Sequence, residues 1–274
     1  MKVFSGKKIA GTMLLVLMII LCAAPALASE SWANDPKTGC QIGWESDNFT
    51  LVTVSWSGPV VDSKAEGKGR LTLTLRDKDG KEVTGKASAE LKKGKLDGNV
   101  DLKWSDGESY RGFFRDGKMD GKGNLKYNNG NSYDGDFKDG KREGNGVFKW
   151  KNGDIYQGEL KANLPNGKGL YKWKNGNVYE GDFKDGNKSG KGVLKYKDRD
   201  HNGDVYEGDF KDDLQNGKGV YKSKDGYSWE GEYNRGNLNG YGTFKDRSGT
   251  IIYAGLWKDG RIISMNAKEK FISI

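Results

Sequence analysis

The chain has 274 residues, a formal net charge of +8, only 34% hydrophobic residues and 42 glycines. So little apolar volume argues against a thick two-sided core, and two cysteines exclude a disulfide framework. Lysines alternate with acids instead of clustering, which excludes the basic stripe of a nucleic-acid binder and reads as a solvated face.

Residues 1–28 read as a removable leader. Lys2, Lys7 and Lys8 precede an apolar run from Ile9 to Ala24, and Pro25 precedes Ala26-Leu27-Ala28, a small-x-small processing site. The alternative is a retained anchor, since Ile9 to Ala28 approaches spanning length. Cys22 follows Leu21, which does not suit a lipidated cysteine. Cleavage near Ala28 predicts an exported chain, periplasmic, envelope-associated or extracellular. It would carry a net charge of +5, because three lysines leave and no acid does.

Residues 29–55 form a non-repeating lead-in with Trp32, Trp44 and Cys40. The single remaining cysteine either pairs between chains or stays free. Residues 56–109 carry a degenerate repeat. Trp56, Gly58, Gly67 and Gly69 sit at the spacing of the later units, and Ala87 to Ser109 follows it through Gly94, Gly98 and Asp106-Gly107 without the opening aromatic.

From 110 to 260 the repeat is regular. Segments open at Tyr110, Tyr133, Tyr156, Tyr179, Tyr206, Trp229 and Tyr253, mostly 23 residues apart. With the opening aromatic as offset 0, offset 2 is always glycine: Gly112, Gly135, Gly158, Gly181, Gly208, Gly231 and Gly255. Offset 4 is large and apolar, as in Phe114, Phe137, Leu160, Phe183, Phe210, Tyr233 and Trp257. Offset 7 holds only Gly, Asn or Asp, which predicts a left-handed turn position ending a strand. Offsets 11 and 13 are glycines, and Gly-Lys-Gly steps such as Gly190-Lys191-Gly192 are expected to be turns. Apolar residues two apart, bounded by these residues, predict two strands per unit, roughly at offsets 0 to 5 and 13 to 18.

Asn129-Gly130, Asn152-Gly153, Asn175-Gly176 and Asp225-Gly226 follow the second strand as hairpin signals. A three-residue turn with glycine left-handed would place offset 15 opposite the next tyrosine and pair the glycines of offsets 13 and 2. This register gathers the aromatics on one face, whereas a two-residue turn would set a lysine there. Residues 261–274 are expected to cap the array.

The run Tyr179-Glu180-Gly181-Asp182-Phe183-Lys184-Asp185-Gly186 with Gly190-Lys191-Gly192-Val193 resembles the MORN repeat (membrane occupation and recognition nexus). The resemblance extends from Trp56 to about Gly260. It implies an all-β fold, an elongated single-layer antiparallel sheet of tandem β-hairpins. It also implies protein interaction, dimerisation or membrane association, and no enzymatic activity.

Two features are candidate sites. The aromatic face offers platforms at Tyr133, Phe137, Trp150, Tyr156, Trp173, Tyr179, Phe183, Tyr206, Phe210 and Trp229, although cross-strand rings also stabilise a sheet by themselves. The gap before Tyr206 carries four extra residues, and Asp198, Asp200, Asn202, Asp204 and Asp209 follow the spacing of a calcium loop, with a longer polar turn as the plainer reading. No other cofactor is suggested. His201 is the sole histidine, no G-x-S-x-G occurs, and carboxylate pairs such as Glu180/Asp182 and Glu207/Asp209 recur along the repeats, whereas catalysis needs one cleft. The expectation is an exported, non-catalytic scaffold of the cell envelope that binds a protein, by analogy as a dimer. Binding to an anionic membrane surface or a wall polysaccharide through the Tyr/Trp stripe is the alternative.

Overall fold

A computed structural model describes residues 31–44 and 49–265. The expected leader, residues 1–28, and the end of the expected cap, residues 266–274, lie outside the described residues.

The described chain is all strand and turn. The first part contains β1 (Ser31–Asn34), β2 (Gln41–Trp44), β3 (Phe49–Trp56), β4 (Val60–Val61), β5 (Lys64–Ala65), β6 (Gly67–Asp77), β7 (Glu82–Lys92), β8 (Lys95–Leu96) and β9 (Gly98–Trp104). The repeats then supply β10 (Ser109–Arg115), β11 (Lys118–Lys126), β12 (Ser132–Lys138), β13 (Lys141–Lys149), β14 (Ile155–Lys161) and β15 (Leu164–Lys172). They continue as β16 (Val178–Lys184), β17 (Asn187–Lys195), β18 (Val205–Lys211), β19 (Leu214–Lys222), β20 (Ser228–Asn234) and β21 (Asn237–Lys245). The last two strands are β22 (Ile251–Lys258) and β23 (Arg261–Met265).

Two compact units divide these residues, one reaching residue 151 and including 160–164, the other comprising 152–159 and 165 onward. In the first, β3, β6, β7, β9, β10, β11, β12 and β13 pair in that order, each antiparallel to the next. In the second, β15 to β23 pair in chain order, also antiparallel. Both series are open. This is the expected architecture of tandem hairpins.

The register follows the three-residue turn. Tyr133 lies opposite Leu125 of the preceding hairpin and Phe148 of its own, and Gly135 lies opposite Gly123 and Gly146. At the other end of each hairpin the reading falls short. Asp116 and Gly117 have φ of 47° and 81°, Asp139 and Gly140 48° and 77°, Asp185 and Gly186 49° and 89°. Two successive left-handed residues joining strands, with Arg115 paired to Lys118, make a two-residue type I′ turn. The second strand therefore begins at offset 8 rather than 13.

The Gly-Lys-Gly steps are not turns. They lie inside that strand, and the pairing shifts there, between Gly112 and Phe114 and at the matching place in later hairpins. The offset 11 glycine takes positive φ, 78° at Gly121 and 65° at Gly190, as a bulge requires.

The degenerate units obey the same plan. Trp56 is buried, opposite Leu71, and a side chain on Gly69 would come within 2.7 Å of the Gly58 Cα. Its indole Nε1 donates to the Pro59 carbonyl, three residues on. Ala87 lacks a ring, and Trp104 instead lies against Gly85, its cross-strand partner.

Part of the lead-in forms a small separate sheet, β1-β2-β5-β4. Cys40 is free there and fully buried. Asp35 is buried beside it. Burial opposes its charge, but the N–H groups of Trp56 (2.9 Å) and Lys37 (2.8 Å) donate to the carboxylate, and the balance holds its pKa below the usual range.

Candidate functional site

The glycine pairs explain what the tyrosines do. A Cβ on Gly181 would stand 2.6 Å from the Gly192 Cα, and one on Gly208 would stand 2.5 Å from the Gly219 Cα. With no side chains at these positions, the phenol of offset 0 lies down on the bare backbone. Its hydroxyl donates to the carbonyl of offset 3: Tyr133 to Asp136 at 3.0 Å, Tyr156 to Glu159 at 2.6 Å, Tyr179 to Asp182 at 2.9 Å, Tyr206 to Asp209 at 3.1 Å. Burial pushes the phenols of Tyr133, Tyr179 and Tyr206 well above their ordinary pKa.

The offset 4 rings stand edge-on between successive tyrosines. Tyr179 meets Phe183 at 5.2 Å and 87° and Phe210 at 4.9 Å and 77°. Tyr206 continues the row through Phe210 and Tyr233. Each such edge-to-face pair contributes about 0.5–1.5 kcal/mol beyond its area.

Seven of the ten aromatic candidates belong to this packed row: Tyr133, Phe137, Tyr156, Tyr179, Phe183, Tyr206 and Phe210 are all buried. A sheet without a second layer still buries these rings, because they pack along it on the glycine floor. They carry stability, and no partner reaches them without disturbing the sheet. Gly112, Gly135, Gly158, Gly181, Gly208, Gly231 and Gly255 all pair with another glycine in this floor or, for Gly158, abut Gly169.

Trp150, Trp173 and Trp229 are half-buried and remain available. Each leans on a ring, Trp150 on Phe148 at 4.6 Å, Trp173 on Tyr171 at 4.6 Å and Trp229 on Phe244 at 4.8 Å.

The calcium-loop residues do not converge. Asp198 accepts from Asn177 Nδ2 at 2.9 Å and from the N–H groups of Asp200 and His201. Asp200 and Asn202 are exposed. Asp204 accepts from the Tyr221 hydroxyl and from the Lys224 N–H at 2.8 Å. Asp209 pairs with Lys191 at 2.7 Å and accepts from the Lys218 N–H. Among the described residues no three His, Cys, Asp or Glu side chains gather as a metal-ligand set. The insertion is a turn whose carboxylates are engaged by the protein's own donors.

Two features escaped the sequence reading. The first is the residue two before each opening aromatic. Asn131, Asp154, Asn177 and Asp204 each accept the N–H of a residue in the next turn, Lys151, Lys174, Lys197 and Lys224. Glu108 holds this position in the first regular hairpin and bonds the Asn128 backbone likewise. Its Oε1, however, has no partner, and burial followed by the Asp106 charge raises its pKa to about 7.

The second feature is offset 9, which faces the rings. Arg142 there is buried over Phe148 at 4.9 Å, donates to the Asn163 carbonyl at 3.0 Å, and leaves Nη1 without a partner. Nearby, burial pushes the Tyr127 phenol to about 12 while the Arg142 guanidinium pulls it down.

The outward face has its own rule. Offset 12 lies opposite offset 3 of the next unit, and the pairs are Lys122–Asp136 at 2.9 Å, Lys168–Asp182 at 2.6 Å and Lys191–Asp209 at 2.7 Å. The last pair breaks it: Tyr241 lies opposite Leu256, 48% and 46% exposed.

The MORN repeat family model matches residues 110–132, 133–155, 156–178, 179–201, 206–226 and 229–251. Residues 110–251 are an array of six MORN repeats. The fourth match stops inside the insertion and the fifth resumes at Tyr206, so the extra turn is an interruption between two MORN repeats. A search of curated proteins found no match. MORN repeats are non-enzymatic modules that generally bind proteins or membranes, and the recurring unit here fits a binding surface rather than a single catalytic cleft.

Proposed function

We propose that the chain is an exported, non-catalytic scaffold of the cell envelope whose MORN array binds a protein partner. Export rests on the leader pattern of residues 1–28, from Lys2 to Ala28. The protein partner rests on one observation, the replacement of the outward Lys/acid pair by Tyr241 and Leu256. Ile252, on the same strand as Leu256, is 39% exposed. A contiguous exposed apolar patch on a face otherwise kept charged marks a contact for another protein.

The test is photo-crosslinking from a residue beside the patch in native cells, comparing wild type with Tyr241→Lys/Leu256→Glu, which restores the ordinary pair. A defined protein adduct that vanishes in the variant supports the reading. An adduct that persists, or retention of the wild type by anionic liposomes or wall glycan with no adduct, overturns it. The mass of the product distinguishes a second copy of this chain from another protein.

A further inference from the structure

Lys188 is unlike the other lysines of the array. It holds offset 9, on the ring face, where the neighbouring repeats carry Met119, Arg142, Pro165, Gln215 and Leu238. It lies opposite Phe183 in the ladder. Its Nζ lies 5.2 Å from the centre of the Trp173 ring, 5.7 Å from Tyr179 and 5.8 Å from Phe210.

The nearest acid is occupied elsewhere. Asp213 accepts the backbone N–H of Lys188 at 2.9 Å, and makes no ion pair with Nζ. Lys191, three residues later on the same strand, faces outward and pairs with Asp209. Around Lys188 two influences oppose: removal from water lowers its pKa, the Asp213 charge raises it, and desolvation prevails. The residue is half-buried rather than sealed.

An amine held among rings without a carboxylate keeps more of its lone pair at neutral pH than a solvated surface lysine, which is how enzymes prepare lysines for carbonyl condensation. We propose that Lys188 is a covalent capture site for small aldehydes. The neutral nitrogen attacks the carbonyl carbon, forming a C–N bond while a proton passes from nitrogen to oxygen. The carbinolamine then loses water to give an imine, so no oxidant or reductant is needed. The Trp173 and Phe210 faces favour a compact, partly apolar aldehyde.

The full chain is treated at pH 7 with limiting acetaldehyde and cyanoborohydride, which fixes the imine, and the modified lysines are located by peptide mass mapping. Lys188 is expected to be labelled several-fold ahead of Lys184 and Lys191, with its pH midpoint below theirs. Trp173→Leu, which admits water to the amine, should reduce its labelling toward the level of Lys184, and circular dichroism reports whether that variant stays folded. Labelling of wild-type Lys188 no faster than that of Lys184 overturns the proposal whatever the variant does.

Discussion

Replacing Glu108 by Gln should stabilise the first regular hairpin above neutral pH and change nothing in acid. Glu108 is 4% exposed, with Oε1 unpartnered and Asp106 close enough to repel its charge. A carboxyl raised from 4.5 to about 7 disfavours the ionised native state by about 3 kcal/mol, at about 1.4 kcal/mol per pKa unit. The direction is opposite to that of a salt-bridged acid. Below pH 4.5 folded and unfolded chains both carry the proton, and the group is neutral in its effect. As pH rises toward 7 the unfolded chain ionises freely and the folded chain does not, so stability is lost across that window, and above it the loss is complete.

Glutamine keeps the length and the acceptor for the Asn128 N–H but cannot ionise. Amide hydrogen exchange of residues 104–128, corrected for the intrinsic effect of pH, is the suitable assay, because arrays open locally and a single melting curve averages over them. At pH 8 the variant should be protected up to about a hundredfold more than wild type, the factor equivalent to about 3 kcal/mol. At pH 4 the two should coincide. A wild-type-to-variant ratio that stays constant from pH 4 to 8 would refute the argument that this buried carboxyl carries the penalty.

Other substitutions test the remaining physics. Gly181→Ala puts a methyl 2.6 Å from the Gly192 Cα and should cost about 1–3 kcal/mol, read as a lower urea midpoint. Tyr179→Phe deletes only the bond to the Asp182 carbonyl and should cost about 1 kcal/mol by the same measure. Asp198→Ala/Asp200→Ala should lower the melting temperature slightly, through loss of the Asn177 and His201 bonds. Wild type and this variant should each melt at the same temperature in calcium as in chelator, and a calcium-induced rise in the wild type alone would return the insertion to a metal role.

Much of this fold is written in side-chain parity. Only the three-residue turn brings Tyr133, Phe137, Phe148 and Trp150 to one face, so the register was legible before any coordinates. The tight turn was equally present in the text, as Asp116-Gly117, Asp139-Gly140, Asp185-Gly186 and Asp259-Gly260, the dipeptide of a type I′ hairpin. Reading only the glycine as left-handed hid the aspartate's matching φ, and so displaced the start of the second strand. The two glycines of offsets 11 and 13 could not be separated by sequence. One is needed for positive φ at a bulge and the other for close backbone approach, and both needs select the same residue. Burial of the tyrosines was illegible for a different reason: a thin sheet predicts exposed rings unless the rings are known to lie flat on glycine.

The repeat also lets the protein be compared with itself, and this is where the site logic emerges. When the residue two before the opening aromatic is an acid, offset 15 of the following hairpin supplies a phenol to it: Asp154 receives Tyr171 at 3.2 Å, and Asp204 receives Tyr221. When that residue is Asn131 or Asn177, offset 15 is Phe148 or Leu194, and no hydroxyl is required. Acid and phenol therefore change together from unit to unit, as expected if a buried carboxylate must be matched by a donor and a neutral amide need not be. Glu108 followed by Leu125 breaks the rule, an acid without its phenol, and it is the position whose proton is held most tightly among the described carboxyls. The irregular units mark where this array departs from a merely stable sheet: Glu108 on the turn row, Arg142 and Lys188 among the rings, Tyr241 and Leu256 on the outward face. A function distributed evenly over the repeats would survive removal of any one of these departures, whereas a function seated at one of them would not, so reverting each to the residue its neighbours carry separates the two.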